Sequence, residues 1–290
     1  IVRAWLRKQG GERESLLSAI FEKFVGKEVP PADAGHIFSF LAKETEEAMQ
    51  CSLCGKMQSL MNLLNGLFEH AAGELNDVDT EYERLFLYAL TWTVGGLLEP
   101  EDRAKWDAYL RSIDTNQSMP ECEQGETIYE YFINENLAWE RWAAPAWECP
   151  QTEKLDFANL LVPTMDSTRS LNLVRLFNEQ RLPVLMIGAA GTAKTTTALM
   201  FVADSEDEKM MFKQVNFSSM TTPGQFQQNV EAELDKRGGK NFGPPNGKKM
   251  LFFLDDMSMP NINNWGDQPT LECVRMLIET SGFVFLEKDK

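Results

Sequence analysis

Two apolar runs that each break off into a short polar turn constrain this chain more than any other feature. In the first, Val184, Leu185, Met186 and Ile187 lead into Gly188-Ala189-Ala190-Gly191-Thr192-Ala193-Lys194-Thr195, and helix-like sequence follows. Small side chains let backbone amides converge there, and the opening of a helix favours an anion. The layout is that of a phosphate-cradling loop, with Lys194 along the β- and γ-phosphates and the Thr195 hydroxyl reaching Mg²⁺. The strict spelling asks for glycine directly before the lysine, and Ala193 stands in that place. Read by itself, Gly-x-x-Gly before a helix is also a common tight turn, so the loop needs a partner elsewhere in the chain.

That partner is the second run, Met250-Leu251-Phe252-Phe253-Leu254, which ends in Asp255-Asp256. An unbroken hydrophobic run reads as a parallel strand buried on both faces, and a carboxylate at its C-terminal end stands at the sheet edge where doubly wound folds place ligands. Asp255 is the candidate for holding Mg²⁺ through water. Asp256 occupies the place where many ATPases carry a glutamate that polarises the attacking water, and it is one methylene shorter. Asp256 is also a residue type that caps turns.

Charge and cysteines narrow the field. There are 28 Lys and Arg against 44 Asp and Glu, a formal net charge of −16, which opposes non-specific adhesion to nucleic acid or an anionic membrane. The expected partners therefore include neither nucleic acid nor membrane. Cys51, Cys54, Cys122, Cys149 and Cys273 are scattered and odd in number, as reduced thiols would be. Cys51-x-x-Cys54 has no second pair, and neither His36 nor His70 has a partner at metal-ligand spacing, so the pair is read as a helical core position. Leu85 to Leu98 falls short of the roughly 20 residues a bilayer span needs, is flanked by Glu81, Glu83, Glu99 and Glu101, and reads as a buried helix. Ile1 is not an initiator methionine, and the chain reads as cut from something longer.

Three regions follow from patterning. Residues 1–111 form an all-helical block: Leu16, Leu17, Ile20, Phe21 and Phe24 recur at helical spacing before Pro30-Pro31. Ile37, Phe38, Leu41, Thr45 and Met49 make a second face, Met57 to Leu67 a third, and Trp106, Tyr109 and Leu110 a fourth. Residues 112–150 read as a connecting arm with one strand-like piece at 128–132, and Trp139, Trp142 and Trp147 there suit either a lid or core filling. From 151 to 290 strands and helices alternate, which implies an α/β domain with a parallel sheet. Strands are expected at 160–164, 184–187, 212–217 and 250–254, and helices from 167 to 179, from 195 to 202, from Pro223 toward Lys236, and from 269 to 278. Gly238 to Gly247 reads as a Gly- and Pro-rich excursion.

The ordered string Val162-Pro163-Thr164-Met165-Asp166, Gly188 to Thr195, Asn216-Phe217-Ser218-Ser219, Thr221-Thr222-Pro223, Phe242-Gly243-Pro244-Pro245, Asp255 to Pro260 and Trp265-Gly266-Asp267-Gln268 resembles axonemal dynein heavy chains. It is most similar to the third AAA+ module, with the preceding helices resembling the small lid subdomain that closes the second. Alanine before the lysine together with Asp-Asp resembles outer-arm heavy chains of the gamma type.

The resemblance implies a P-loop AAA+ parallel sheet with flanking helices, preceded by an all-helical subdomain, in a ring that drives ciliary and flagellar beating. It implies ATP or ADP with Mg²⁺ as cofactors. Gly188, Ala189, Ala190, Gly191, Thr192, Ala193 and Lys194 would hold phosphate, Thr195 and Asp255 the metal, and Asp256 the water, while Val162 and Pro163 border the adenine. The site would be regulatory, gating the main ATPase module. The implied partners are neighbouring AAA+ modules of the same heavy chain, other dynein heavy, intermediate and light chains, and microtubules through a stalk. The implied location is the cytoplasm and the cytoskeleton of the ciliary or flagellar axoneme.

Because such sites use an arginine from an adjoining module, worth about 10³ to 10⁵ in rate, this piece alone is expected to turn over ATP negligibly. Two other readings stay open at this level. One is a structural module that holds nucleotide without hydrolysing it. The other is an unrelated P-loop kinase or GTPase, the GTPase option weakened by the lack of an Asn-Lys-x-Asp string.

Overall fold

The computed structural model describes residues 1–26, 37–71, 75, 79–149, 160–204 and 210–283. Pro30-Pro31, His36 and the expected boundary between the arm and the α/β region lie outside these residues. The chain divides into two compact units, one of residues 1–155 with 162–187, the other of 156–161 with 188–290.

The first unit is built on helices α1 (Val2–Gln9), α2 (Gly11–Phe24), α3 (Ile37–Glu44), α4 (Leu53–His70), α5 (Asp79–Thr93) and α6 (Arg103–Ile113). The sequence dictates these by apolar spacing and caps. In α4, Ser52 accepts a hydrogen bond from Gly55 N at 3.1 Å, and Met57, Leu60, Met61, Leu64 and Leu67 are buried along one stripe. Each fully buried Leu contributes about 1.5–3 kcal/mol relative to exposure.

The helical readings need three corrections. The face running from Ile37 to Met49 stops early, because α3 ends at Glu44. The apolar run to Leu98 is not one helix: α5 ends at Thr93 and a 3-10 turn follows at Gly95–Leu97. Gly95 is tightly packed at that break. A Cβ there would lie 2.6 Å from Tyr129 Oη and 2.7 Å from Trp106 Nε1, so two aromatic rings use the space that a side chain would fill. Third, Cys54 is exposed in the first turn of α4 and Cys51 precedes the cap, so the pair is no core position.

Residues 114–142 fold onto this block. Strands β1 (Tyr131–Ile133) and β2 (Trp139–Arg141) form an antiparallel hairpin. Met119, Ile128, Tyr129, Leu137 and Trp142 enter the same apolar core as the helices. Polar clamps fix the path. The buried Glu83 carboxylate accepts from Lys23 Nζ at 2.8 Å, Asn116 Nδ2 at 2.9 Å and Ser118 Oγ at 2.7 Å, and Asp107 accepts from Ile128 N at 2.8 Å. Of the tryptophans, Trp142 fills core and Trp147 is exposed. Helix α7 (Met165–Glu179), opened by a Thr164/Ser167 capping box, packs its Leu176 into this core.

The second unit carries α8 (Lys194–Ala203), β3 (Met210–Asn216), α9 (Pro223–Glu231), β4 (Asp235–Gly238), β5 (Asn241–Gly243), β6 (Lys249–Asp255) and α10 (Pro269–Thr280). Strands β3 and β6 pair in parallel, in register from Met210↔Lys249 to Asn216↔Asp255. Helices α9 and α10 cover this pair through Val215, Phe217, Phe226, Val230, Cys273 and Val274. Thr222 caps α9, accepting from Gln225 N at 3.3 Å, and Pro223 takes the first helical position where no N–H is required.

The α/β class with parallel pairing stands, but the expected strands at 160–164 and 184–187 do not form. Leu185 and Ile187 are 65% and 58% exposed. An apolar run becomes a strand only when a neighbour takes up its backbone N–H and C=O groups, and that neighbour is not encoded locally. The Gly-rich excursion also differs from expectation. Its Asn241–Gly243 pairs antiparallel with Asp235–Gly238, where the helix was expected to run on, and α9 ends earlier, at Glu231.

Candidate functional site

The site is assembled at one end of the second unit. β6 delivers Asp255 at its last residue, and Phe217 N donates to the Asp255 carbonyl at 3.0 Å, tying the β3 exit to the same edge. Loop 188–193 leads directly into α8, whose first residues are Lys194 and Thr195. Thr195 Oγ1 donates to Asp255 Oδ2 at 3.0 Å. The other carboxylate oxygen, Oδ1, accepts from Asp256 N at 3.0 Å. A hydroxyl oxygen and a carboxylate thus meet at the mouth of a helix, the hard-donor pair that suits Mg²⁺.

The loop is closed by its own side chains. Lys194 Nζ donates to Gly188 O at 2.9 Å, Ala189 O at 2.7 Å and Thr192 Oγ1 at 3.3 Å. Thr192 Oγ1 in turn donates to Ala189 O at 2.9 Å. The ammonium therefore stands at the centre of the turn, held by oxygens of its own loop. Gly188 is constrained, since a Cβ there would lie 2.9 Å from Thr192 Oγ1, and Gly191 adopts φ 81°.

Two features of this loop were not visible in the sequence. Ala193 sits in the left-handed region at φ 59°, ψ 21°, which explains why the common spelling has glycine there: the backbone, rather than the side chain, sets the preference. Thr192 is the hub of the closed turn, and the only signal for it was the general tendency of Ser and Thr to bond nearby backbone.

Asp256 is exposed and left-handed at φ 55°, with its carbonyl accepting from Met259 N at 3.0 Å. It follows Asp255 directly and belongs to the same unit as the loop. Val162 and Pro163 belong to the first unit, where they precede the Thr164 cap of α7. Among the described residues no cluster of three or more His, Cys, Asp and Glu could hold a metal, and no helix is long and apolar enough to cross a membrane.

Comparison with known proteins accounts for nearly the whole chain. Residues 149–289 match the P-loop containing dynein motor region, and residues 17–144 match the dynein heavy chain AAA lid domain. The chain is 37% identical over 294 residues to the dynein gamma chain of the flagellar outer arm of Chlamydomonas reinhardtii, which covers 99% of it. It is 33% identical to human dynein axonemal heavy chain 8 over 293 residues, again 99% of the chain, and 38% identical to mouse dynein axonemal heavy chain 5 over 259 residues, 87% of it.

This chain belongs to the axonemal dynein heavy chains. It spans 6% of the length of each of these three relatives. Within the dynein frame, the helical first unit falls largely in the lid region, and the loop, α8 and the β3–β6 pair fall in the motor region.

Proposed function

We propose that residues 188–195, with Asp255, bind ATP or ADP and Mg²⁺ at a regulatory AAA+ site of an axonemal dynein heavy chain, and that nucleotide there gates microtubule-based ciliary motility. The order of lid before P-loop region supports two consecutive AAA+ modules; we take them as the second and third, with residues 1–111 in the lid of the second, 151–290 in the large domain of the third, and 112–150 as the connection, packed on the lid through 114–142. One observation carries the reading: Thr195 Oγ1 and Asp255 Oδ2 stand 3.0 Å apart at the opening of α8.

The group's chemistry divides among named residues. The amides of 189–195 and the Lys194 ammonium would receive phosphate oxygens, and the Thr195 hydroxyl and Asp255 carboxylate would hold the metal, Asp255 through water. The metal, when bound, offsets phosphate charge.

Asp256 decides between two versions of this function. As the residue nearest the Asp255 edge it is the candidate for orienting the attacking water, but its carboxylate reaches one methylene less than glutamate, which favours a module that holds nucleotide over one that cleaves it. Single-turnover nucleotide cleavage in the intact heavy chain tests this with Asp256→Glu and Asp256→Asn. Equal, negligible cleavage in wild type and Asn with a gain in Glu establishes the holding version. A loss in Asn establishes hydrolysis. No nucleotide retained in wild type would remove the proposal altogether.

A further inference from the structure

A second charged surface stands apart from the nucleotide loop, on the β4–β5 hairpin and the turn after it. Residues 235–249 carry Lys236, Arg237, Lys240, Lys248 and Lys249 against the single carboxylate of Asp235, in a chain with formal charge −16. Such concentration runs against the net charge of the chain. Arg237 is used internally: it lies across Gly243, where a Cβ would be 3.4 Å from its Nε, and its guanidinium donates to the Pro244 carbonyl. The four lysines are not. Among the described residues none of them is in an ion pair, although the chain carries 44 acidic residues.

Geometry makes this a presented surface. Lys236 and Phe242 are cross-strand partners, so a cation and an aromatic ring share one face of the hairpin. Phe242 is 48% exposed, and Lys236, Lys240 and Lys249 are exposed with it. Gly239 at φ 58° turns the hairpin, and Asn246 and Gly247 at φ 58° and 70° turn the chain back, bringing Lys248 and Lys249 to the base of β6. The register is irregular between Lys236 and Gly238, which disfavours addition of another strand to this edge. Recognition here is accordingly by side chains.

We propose that the β4–β5 hairpin docks an acidic protein segment: the four lysines face carboxylates, and Phe242 takes one apolar side chain of that segment. The argument is charge complementarity in both directions. Among the described residues the lysines have no acidic partner, while the strong negative charge elsewhere repels a long polyanion such as nucleic acid or an anionic bilayer and favours a short acidic segment that ends at the hairpin.

The test is fluorescence anisotropy of the 290-residue chain with a labelled peptide of repeated Glu-Glu-Leu, beside poly-glutamate, single-stranded poly-dT and phosphatidylserine vesicles. The expected result is saturable binding of Glu-Glu-Leu that weakens as salt is raised. It should fall at least tenfold in Lys236→Glu/Lys240→Glu and several-fold in the neutral Lys236→Gln/Lys240→Gln, with far-UV circular dichroism unchanged. Phe242→Ala should weaken Glu-Glu-Leu but leave poly-glutamate unaltered. Equal peptide affinity in wild type and the charge reversal overturns the proposal, as does tighter binding of poly-dT or vesicles than of peptide.

Discussion

Thr195 in the first turn of α8 and Asp255 at the end of β6, 60 residues apart in sequence, share a hydrogen bond of 3.0 Å. The bond joins the element that would receive phosphate to the element that would hold metal. It also orients Asp255, whose second oxygen is held by Asp256 N.

Removing either member should therefore act on metal-assisted nucleotide binding above all. For Thr195→Ala and Asp255→Asn we expect Mg²⁺-ATP affinity to fall about 10- to 100-fold, the equivalent of losing one charged hydrogen bond or metal contact of about 1.5–3 kcal/mol. Calorimetric titration with and without Mg²⁺ checks this. An equal loss in both conditions would contradict a metal role.

Lys194→Ala should abolish tight nucleotide retention, because it removes the cation that would face the phosphates. It also frees the carbonyls of Gly188 and Ala189 and the Thr192 hydroxyl. We expect amide hydrogen exchange in 188–193 to quicken even without nucleotide, which separates loop closure from phosphate attraction.

Ala193→Gly should be tolerated and should tighten the loop. An L-residue held left-handed costs about 1–2 kcal/mol, and part of that is returned by glycine's freedom in the unfolded chain, leaving a gain of up to about 1 kcal/mol. Ala193→Val should lose both nucleotide affinity and thermal stability. A large loss in the glycine variant would show that the methyl group is packed.

Glu83→Ala should be among the most damaging changes in the first unit, at about 3–5 kcal/mol, because Lys23, Asn116 and Ser118 all lose one buried acceptor. Glu83→Gln, which keeps the shape and one acceptor, should cost less. Urea unfolding followed by tryptophan fluorescence measures both.

Acid should loosen the same unit. The Lys105 ammonium, followed by Glu46 N–H, holds the Asp102 carboxyl below its ordinary range, and the Tyr131 hydroxyl, followed by Arg141, does so for Glu126. Both contributions are complete above the unfolded values of about 3.9 and 4.3 and are lost as pH falls through the lower folded values. Asp102→Asn should flatten the decline in thermal midpoint below about pH 4 and leave the midpoint at pH 7 to pH 8 parallel to wild type.

The sequence by itself determined what depends on near neighbours. Helical stripes, the Ser52, Thr164 and Thr222 caps, the phosphate-type loop and the acid-ended strand are each encoded within a few residues, by side-chain period or turn chemistry. Tertiary structure alone decided what depends on distant partners. It left 160–164 and 184–187 without strand pairing, folded residues 114–142 into the helical core, and ended α5 where two rings crowd Gly95. It also put Ala193 in a left-handed turn and set Thr195 on Asp255. Strand pairing and close packing join groups far apart along the chain, and no local pattern records which of the available partners will satisfy them.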